Sequence, residues 1–78
     1  MKLFLISQTE NDDYDTYDSA VVCAQDEDEA RNIQPGCHQF GDKWSDWCSS
    51  PEKVTVKCVG EAADGIDRGV VCASFNAG

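Results

Sequence analysis

Four short β-favouring runs, two on each side of an acidic stretch that reads as a helix start, constrain this chain more than any other feature. Residues 2–8 carry Leu3, Phe4, Leu5 and Ile6, and residues 19–24 carry Ala20, Val21, Val22 and Cys23 in a continuous run suited to a central strand buried on both faces. In residues 53–60, Val54, Val56 and Cys58 alternate with Thr55, Lys57 and Val59, the period of a half-buried strand. Residues 69–75 form the last run. Because a short turn containing Gly65 and Asp67 separates the last two runs, they are expected to pair as an antiparallel hairpin.

Between the two pairs, Asp26 fits a helix N-cap with Glu29 three residues on, and Glu27, Asp28 and Glu29 fall in the first turn, where free amides favour negative charge. Ala30 and Ile33 supply an inward stripe, and Pro35 and Gly36 stop the helix after little more than two turns. Residues 9–18 read as a long polar loop, and residues 36–52 as an irregular segment pinned by Phe40, Trp44 and Trp47. The order β-β-α-β-β predicts an α+β fold: an antiparallel sheet of about four strands with one short helix on one face, forming a single small domain over residues 1–78.

Composition narrows the function classes. A chain of 78 residues buries only roughly 60% of its unfolded surface, which leaves little room for a substrate cleft and argues against an enzyme. Its apolar fraction of 41% is too high for a disordered acidic tail. Of the net charge of −9, the first thirty residues carry −8, with Lys2 facing nine carboxylates. Such a surface repels nucleic acid and membrane headgroups and speeds encounter with basic protein surfaces. No run approaches the ~20 apolar residues of a membrane span, and the short apolar N-terminus lacks a signal-peptide pattern, so a cytoplasmic location is expected. Five cysteines, an odd number, read as reduced thiols.

The residues proposed for partner binding are Asp12, Asp13, Tyr14, Asp15, Tyr17, Asp18, Glu27 and Asp28. Their carboxylates would form one negative face that occupies a Lys/Arg stripe in the manner of nucleic-acid phosphates, with Tyr14 and Tyr17 as anchors. Calcium binding is not expected: counted from Asn11, an EF-hand template requires Gly and Glu where Thr16 and Val22 stand. Cys37, His38 and Cys48 are the only group with metal-ligand chemistry, but their spacing matches no zinc motif, and the two thiols read as surface groups. No catalytic residue, metal or cofactor is assigned.

Residues 17–22 (YDSAVV), the acidic helix start at 26–30, residues 53–56 (KVTV) and the ending at 69–78 (GVVCASFNAG) resemble small acidic accessory proteins of tailed bacteriophages, a family of unassigned function. The resemblance implies a viral protein acting in the host cell cytoplasm. It also implies a binding role against a host protein with a basic surface, of the nucleic-acid-handling or defence type, as in anti-CRISPR proteins and DNA mimics. No direct nucleic-acid or membrane contact is expected, and the chain would be a monomer or homodimer. The alternative is a phage structural or assembly protein that self-associates through a sheet edge or the Trp44/Trp47 segment.

Overall fold

The structure, a computed structural model, describes residues 1–11, 15–36, 39–41 and 45–76. It is an α+β fold. Strands β1 (Lys2–Ser7), β2 (Thr16–Ala24), β3 (Thr55–Glu61) and β4 (Gly69–Asn76) form one antiparallel sheet, with helix α1 (Glu27–Arg31) after β2 and a 3₁₀ turn at Pro51–Lys53 before β3.

The strand order is β3-β1-β2-β4. β1 and β2 form the central hairpin, with Phe4 opposite Val22 and Ile6 opposite Ala20. The expected β3/β4 hairpin is therefore not formed: β3 pairs with β1, β4 pairs with β2, and the two lie at opposite edges. Residues 62–68 are long enough for this, since seven residues reach roughly 23 Å whereas three inter-strand steps need about 14 Å. The link is held at the lower end of the sheet, where the Ala62 amide donates to the Met1 carbonyl at 3.1 Å. Cys23, fully buried, faces Met1 Sδ and the Ile66 carbonyl there.

Alternation along β1 and β2 divides the sheet into two faces. Phe4, Ile6, Ala20, Val22 and Ala24 point to the core, where Ala30 of α1, Trp47, Cys48 and Val54 meet them. Trp47 is the largest fully buried side chain. The opposite face presents Leu3, Leu5 and Val21, all half-buried. Thus β2 is covered on its core face, while on the other face Cys23 is buried and Val21 only partly so.

β2 begins at Thr16, earlier than the sequence suggested, so Tyr17 and Asp18 are strand residues and not part of a loop. The helix spans five residues, not two turns. Its start forms as expected: the Asp26 carboxylate accepts from the Glu29 amide at 2.8 Å, and Glu29 Oε1 accepts from the Gln25 amide at 3.2 Å. A cap of this kind is worth about 1 kcal/mol, and α1 is too short to persist without it and its packing on the sheet. Asn32 closes the helix, its amide donating to the Glu29 and Ala30 carbonyls. Arg31 then ties α1 to the start of β3 through the Pro51 and Val54 carbonyls.

Residues 45–50 are irregular, as expected, but a polar hub fixes them. The Asn11 side-chain amide donates to the Ser45 and Trp47 carbonyls, both at 3.2 Å. Gln8, itself buried, holds Asn11 in place by accepting from its amide at 2.8 Å and donating to its carbonyl at 2.7 Å. The Tyr17 amide donates to the Asp46 carbonyl at 2.8 Å. The Asp46 carboxylate lies against Gly36 where any side chain would stand. Trp44 lies outside the described residues.

Candidate functional site

The acidic residues fall at the two ends of β2, not on one face. Residues 8–15 join β1 to β2 at the upper end, whereas α1 begins where β2 finishes, nine strand residues further on. At ~3.3 Å per residue β2 spans about 27 Å, along a molecule whose longest extent is 35 Å. β2 therefore separates Asp15 and Asp18 from the backbone of Glu27 and Asp28, although the Glu27 carboxylate turns toward Arg31, which reaches Val54 at the start of β3. Among the described residues of the expected negative face, Asp15 and Asp18 lie toward the upper end, and Asp28 follows the lower end of β2. Asp12, Asp13 and Tyr14 lie outside the described residues.

At the upper end, Glu10 is committed to the fold. Its carboxylate accepts from the Ser49 amide at 2.7 Å and sits 3.9 Å from Lys53 Nζ. The Ser49 hydrogen bonds, with a smaller contribution from Lys53, hold its pKa below the ordinary 4.5. Asp18 is exposed and accepts from the Ser19 hydroxyl at 3.2 Å. Asp15 adopts a left-handed backbone (φ 60°), a conformation Asp tolerates better than most residues, and its amide donates to the Asn76 carbonyl at 2.6 Å. Tyr17 is half-buried against the core and meets Phe75 edge-on, ring centroids 4.8 Å apart, so most of its surface is used within the fold.

The lower end gathers more charge than the sequence grouping implied. Asp28 and Glu29 of α1 and the capping Asp26 are joined there by Glu61 at the end of β3 and by Asp64 and Asp67, because the 62–68 link passes the same end of the sheet, whereas the Glu27 carboxylate turns toward Arg31. The Arg68 guanidinium, 3.6 Å from the Glu29 carboxylate, marks this convergence. Glu27 pairs with Arg31 at 3.3 Å across one helical turn. Asp28, Glu61, Asp64 and Asp67 are exposed. Met1, Lys2, Gln25, Glu61, Ala62 and Asp64 line an open polar depression at the same place. Among the described residues, Lys2, Arg68 and the terminal amine are the cations at this end, set against six carboxylates, while Arg31 reaches to the start of β3. Salt-bridged surface pairs of this type are worth roughly 0–1 kcal/mol and leave the end strongly negative.

No protein-family model, curated protein or solved structure matches the chain.

Glu61, Asp64 and Asp67 were not assigned from sequence, because they stand more than thirty residues after the helix start and only the edge-to-edge crossing of the link brings them to it. Cys48, expected at the surface, is fully buried in the core, while Cys58 on β3 and Cys72 on β4 are exposed. Burial pushes the Cys48 thiol above its ordinary 9.0, and the thiol donates to the Ser50 carbonyl at 3.4 Å. Cys37 and His38 lie outside the described residues. Among the described residues no three His, Cys, Asp or Glu side chains are grouped to hold a metal ion, and no helix is long and apolar enough to cross a membrane.

Proposed function

We propose that this chain is a phage-encoded accessory protein that binds a basic host protein through the lower acidic end, in the manner of a counter-defence inhibitor or DNA mimic acting in the host cytoplasm. One observation carries the reading: the first turn of α1, the end of β3 and the 62–68 link present Asp28, Glu61, Asp64 and Asp67, exposed, around one end of the sheet. Asp28 on α1 and Glu61 on β3 are carried by backbone that is already ordered, so docking of a Lys/Arg stripe there spends less of the electrostatic gain on ordering the chain. Asp15 and Asp18, at the other end, are not part of this surface.

Capture from a bacterial host lysate on immobilised protein, with mass-spectrometric identification, tests the proposal. Wild type is expected to retain a basic protein that DNA displaces. The triple reversal Asp28→Lys, Glu61→Lys, Asp64→Lys is expected to lose it, and Asp15→Lys with Asp18→Lys to keep it. Retention by the triple variant, or loss only with the Asp15/Asp18 pair, would overturn the assignment.

A further inference from the structure

The 62–68 link makes a tight turn at residues 63–66, where the Ile66 amide donates to the Ala63 carbonyl at 3.3 Å. Gly65, third in this turn, has φ 91°, whereas Asp64, second, has a negative φ, since Asp15 is the only non-glycine with a positive one among the described residues. That combination is a type II turn, which calls for glycine at its third place. Its tip is bare. Asp64 and Gly65 are exposed, and a side chain built on Gly65 would meet nothing within 4 Å. Among the described residues, the Asp64 carboxylate has no hydrogen-bond or ion-pair partner, and nothing accepts from the Gly65 amide.

Asp64 is also the one aspartate of the chain that glycine follows. The side-chain carbonyl carbon of an aspartate and the next main-chain nitrogen can close a five-membered ring, and glycine is the residue that brings no β-carbon to crowd the approach. We propose that Asp64 and Gly65 form a site of spontaneous isoaspartate formation, through a cyclic imide that reroutes the main chain of the link. The Gly65 nitrogen attacks Cγ of the protonated Asp64 carboxyl, an N–Cγ bond forms, and the amide hydrogen leaves with the carboxyl hydroxyl as water. A second water then opens the ring. Opening at Cγ restores aspartate. Opening at the main-chain carbonyl breaks its bond to the Gly65 nitrogen, so the chain runs on through the β-carbon and the former carbonyl carbon becomes a free carboxylate. Mass and charge number are unchanged, and water is the only co-reactant.

In the type II turn the Gly65 nitrogen faces away from the Asp64 side chain, so the ring closes after the peptide plane between them flips. Such a flip takes the turn toward type I without moving its ends, and neither packing nor a bond from the flipping amide opposes it. The other described aspartates lack this freedom. The Asp26 carboxylate caps α1, the Glu29 amide after Asp28 is bound by that cap, and the Trp47 amide after Asp46 donates to the Ser45 hydroxyl. Thr16 and Ser19, after Asp15 and Asp18, lie within β2, and Asp67 is followed by Arg68, which carries a β-carbon. On either side of the tip the link is held, by the Ala62 amide on the Met1 carbonyl and by the Cys23 thiol on the Ile66 carbonyl, so the added main-chain carbon is taken up between them. The inference does not depend on the lower end binding a partner.

Incubation of the full chain for weeks in neutral buffer at physiological temperature, followed by tryptic mapping, tests the site. Cleavage after Lys57 and Arg68 releases residues 58–68, which hold both Asp64 and Asp67. The expected result is two such peptides of equal mass, one of them resistant at residue 64 to a protease that cuts before aspartate, with a transient form lighter by one water. Asp64→Glu, which would need a six-membered ring, is expected to lose both new forms. Asp64→Asn closes the same ring with ammonia as the leaving group and is expected to give the isoaspartyl peptide sooner. A single 58–68 peptide throughout would overturn the inference, as would a second one that persists in Asp64→Glu and so arises at Asp67. Isoaspartate that forms only in denaturant would also overturn it, because the folded turn would then be holding the nitrogen away.

Discussion

Cys48 and Glu10 show how far a residue's chemistry depends on contacts that its sequence neighbours do not announce. Cys48 stands between Trp47 and two serines, a polar setting, yet it is as buried as Ile6. With alkylating reagent near pH 8, Cys58 and Cys72 are expected to react quickly, while Cys23 and Cys48 react only as the chain opens, as peptide mass mapping would show. Equal rates at all four would contradict the packing. Glu10 has a depressed pKa, so its contribution to stability is complete above the ordinary 4.5 and is lost as pH falls through the lower folded value. Denaturant midpoints measured from pH 7 to about pH 3 are expected to show wild type ahead of Glu10→Gln at neutral pH, with the gap closing below 4.5. A gap that widened on acidification would reverse the assignment.

At the scale of elements, legibility followed locality. The α1 cap was readable because Asp26 and Glu29 act across one helical turn, and β1 was readable from its own apolar pattern. Helix length was not, because the sequence places its stop at Pro35 while the chain leaves the helix at Asn32, whose side-chain amide donates to the Asp28 carbonyl at 2.8 Å. Nor was the start of β2, since Thr16 and Tyr17 sit among loop-like residues and become strand by pairing with Asn76 and Phe75 of β4, with Asp18 bulged out of the register before Ser19. The Gln8–Asn11 hub was invisible for the same reason: its partners, Ser45 and Trp47, lie 34 and 36 residues away. Asn11→Ala leaves both carbonyls without this donor and is expected to cost about 1–3 kcal/mol by denaturant titration. A change within experimental error would mean that the segment is held by Trp47 burial alone.

For the whole molecule, composition and strand count anticipated the class of fold, but strand order decided the distribution of charge. A β3/β4 hairpin would have kept the 62–68 link at one side. The observed order draws it past the end of the central hairpin and sets Glu61, Asp64 and Asp67 beside the α1 start. The same order exposes β4, so one topological fact produces both the acidic end and the uncharged edge.

The most direct test is the association rate of the captured partner as a function of ionic strength, by stopped flow. Steering by the lower end predicts a rate that falls steeply, on the order of tenfold or more, between low and physiological salt for wild type, and a slow, nearly salt-independent rate for the Asp28→Lys, Glu61→Lys, Asp64→Lys variant. A wild-type rate indifferent to salt, or a variant that keeps the wild-type slope, would contradict it.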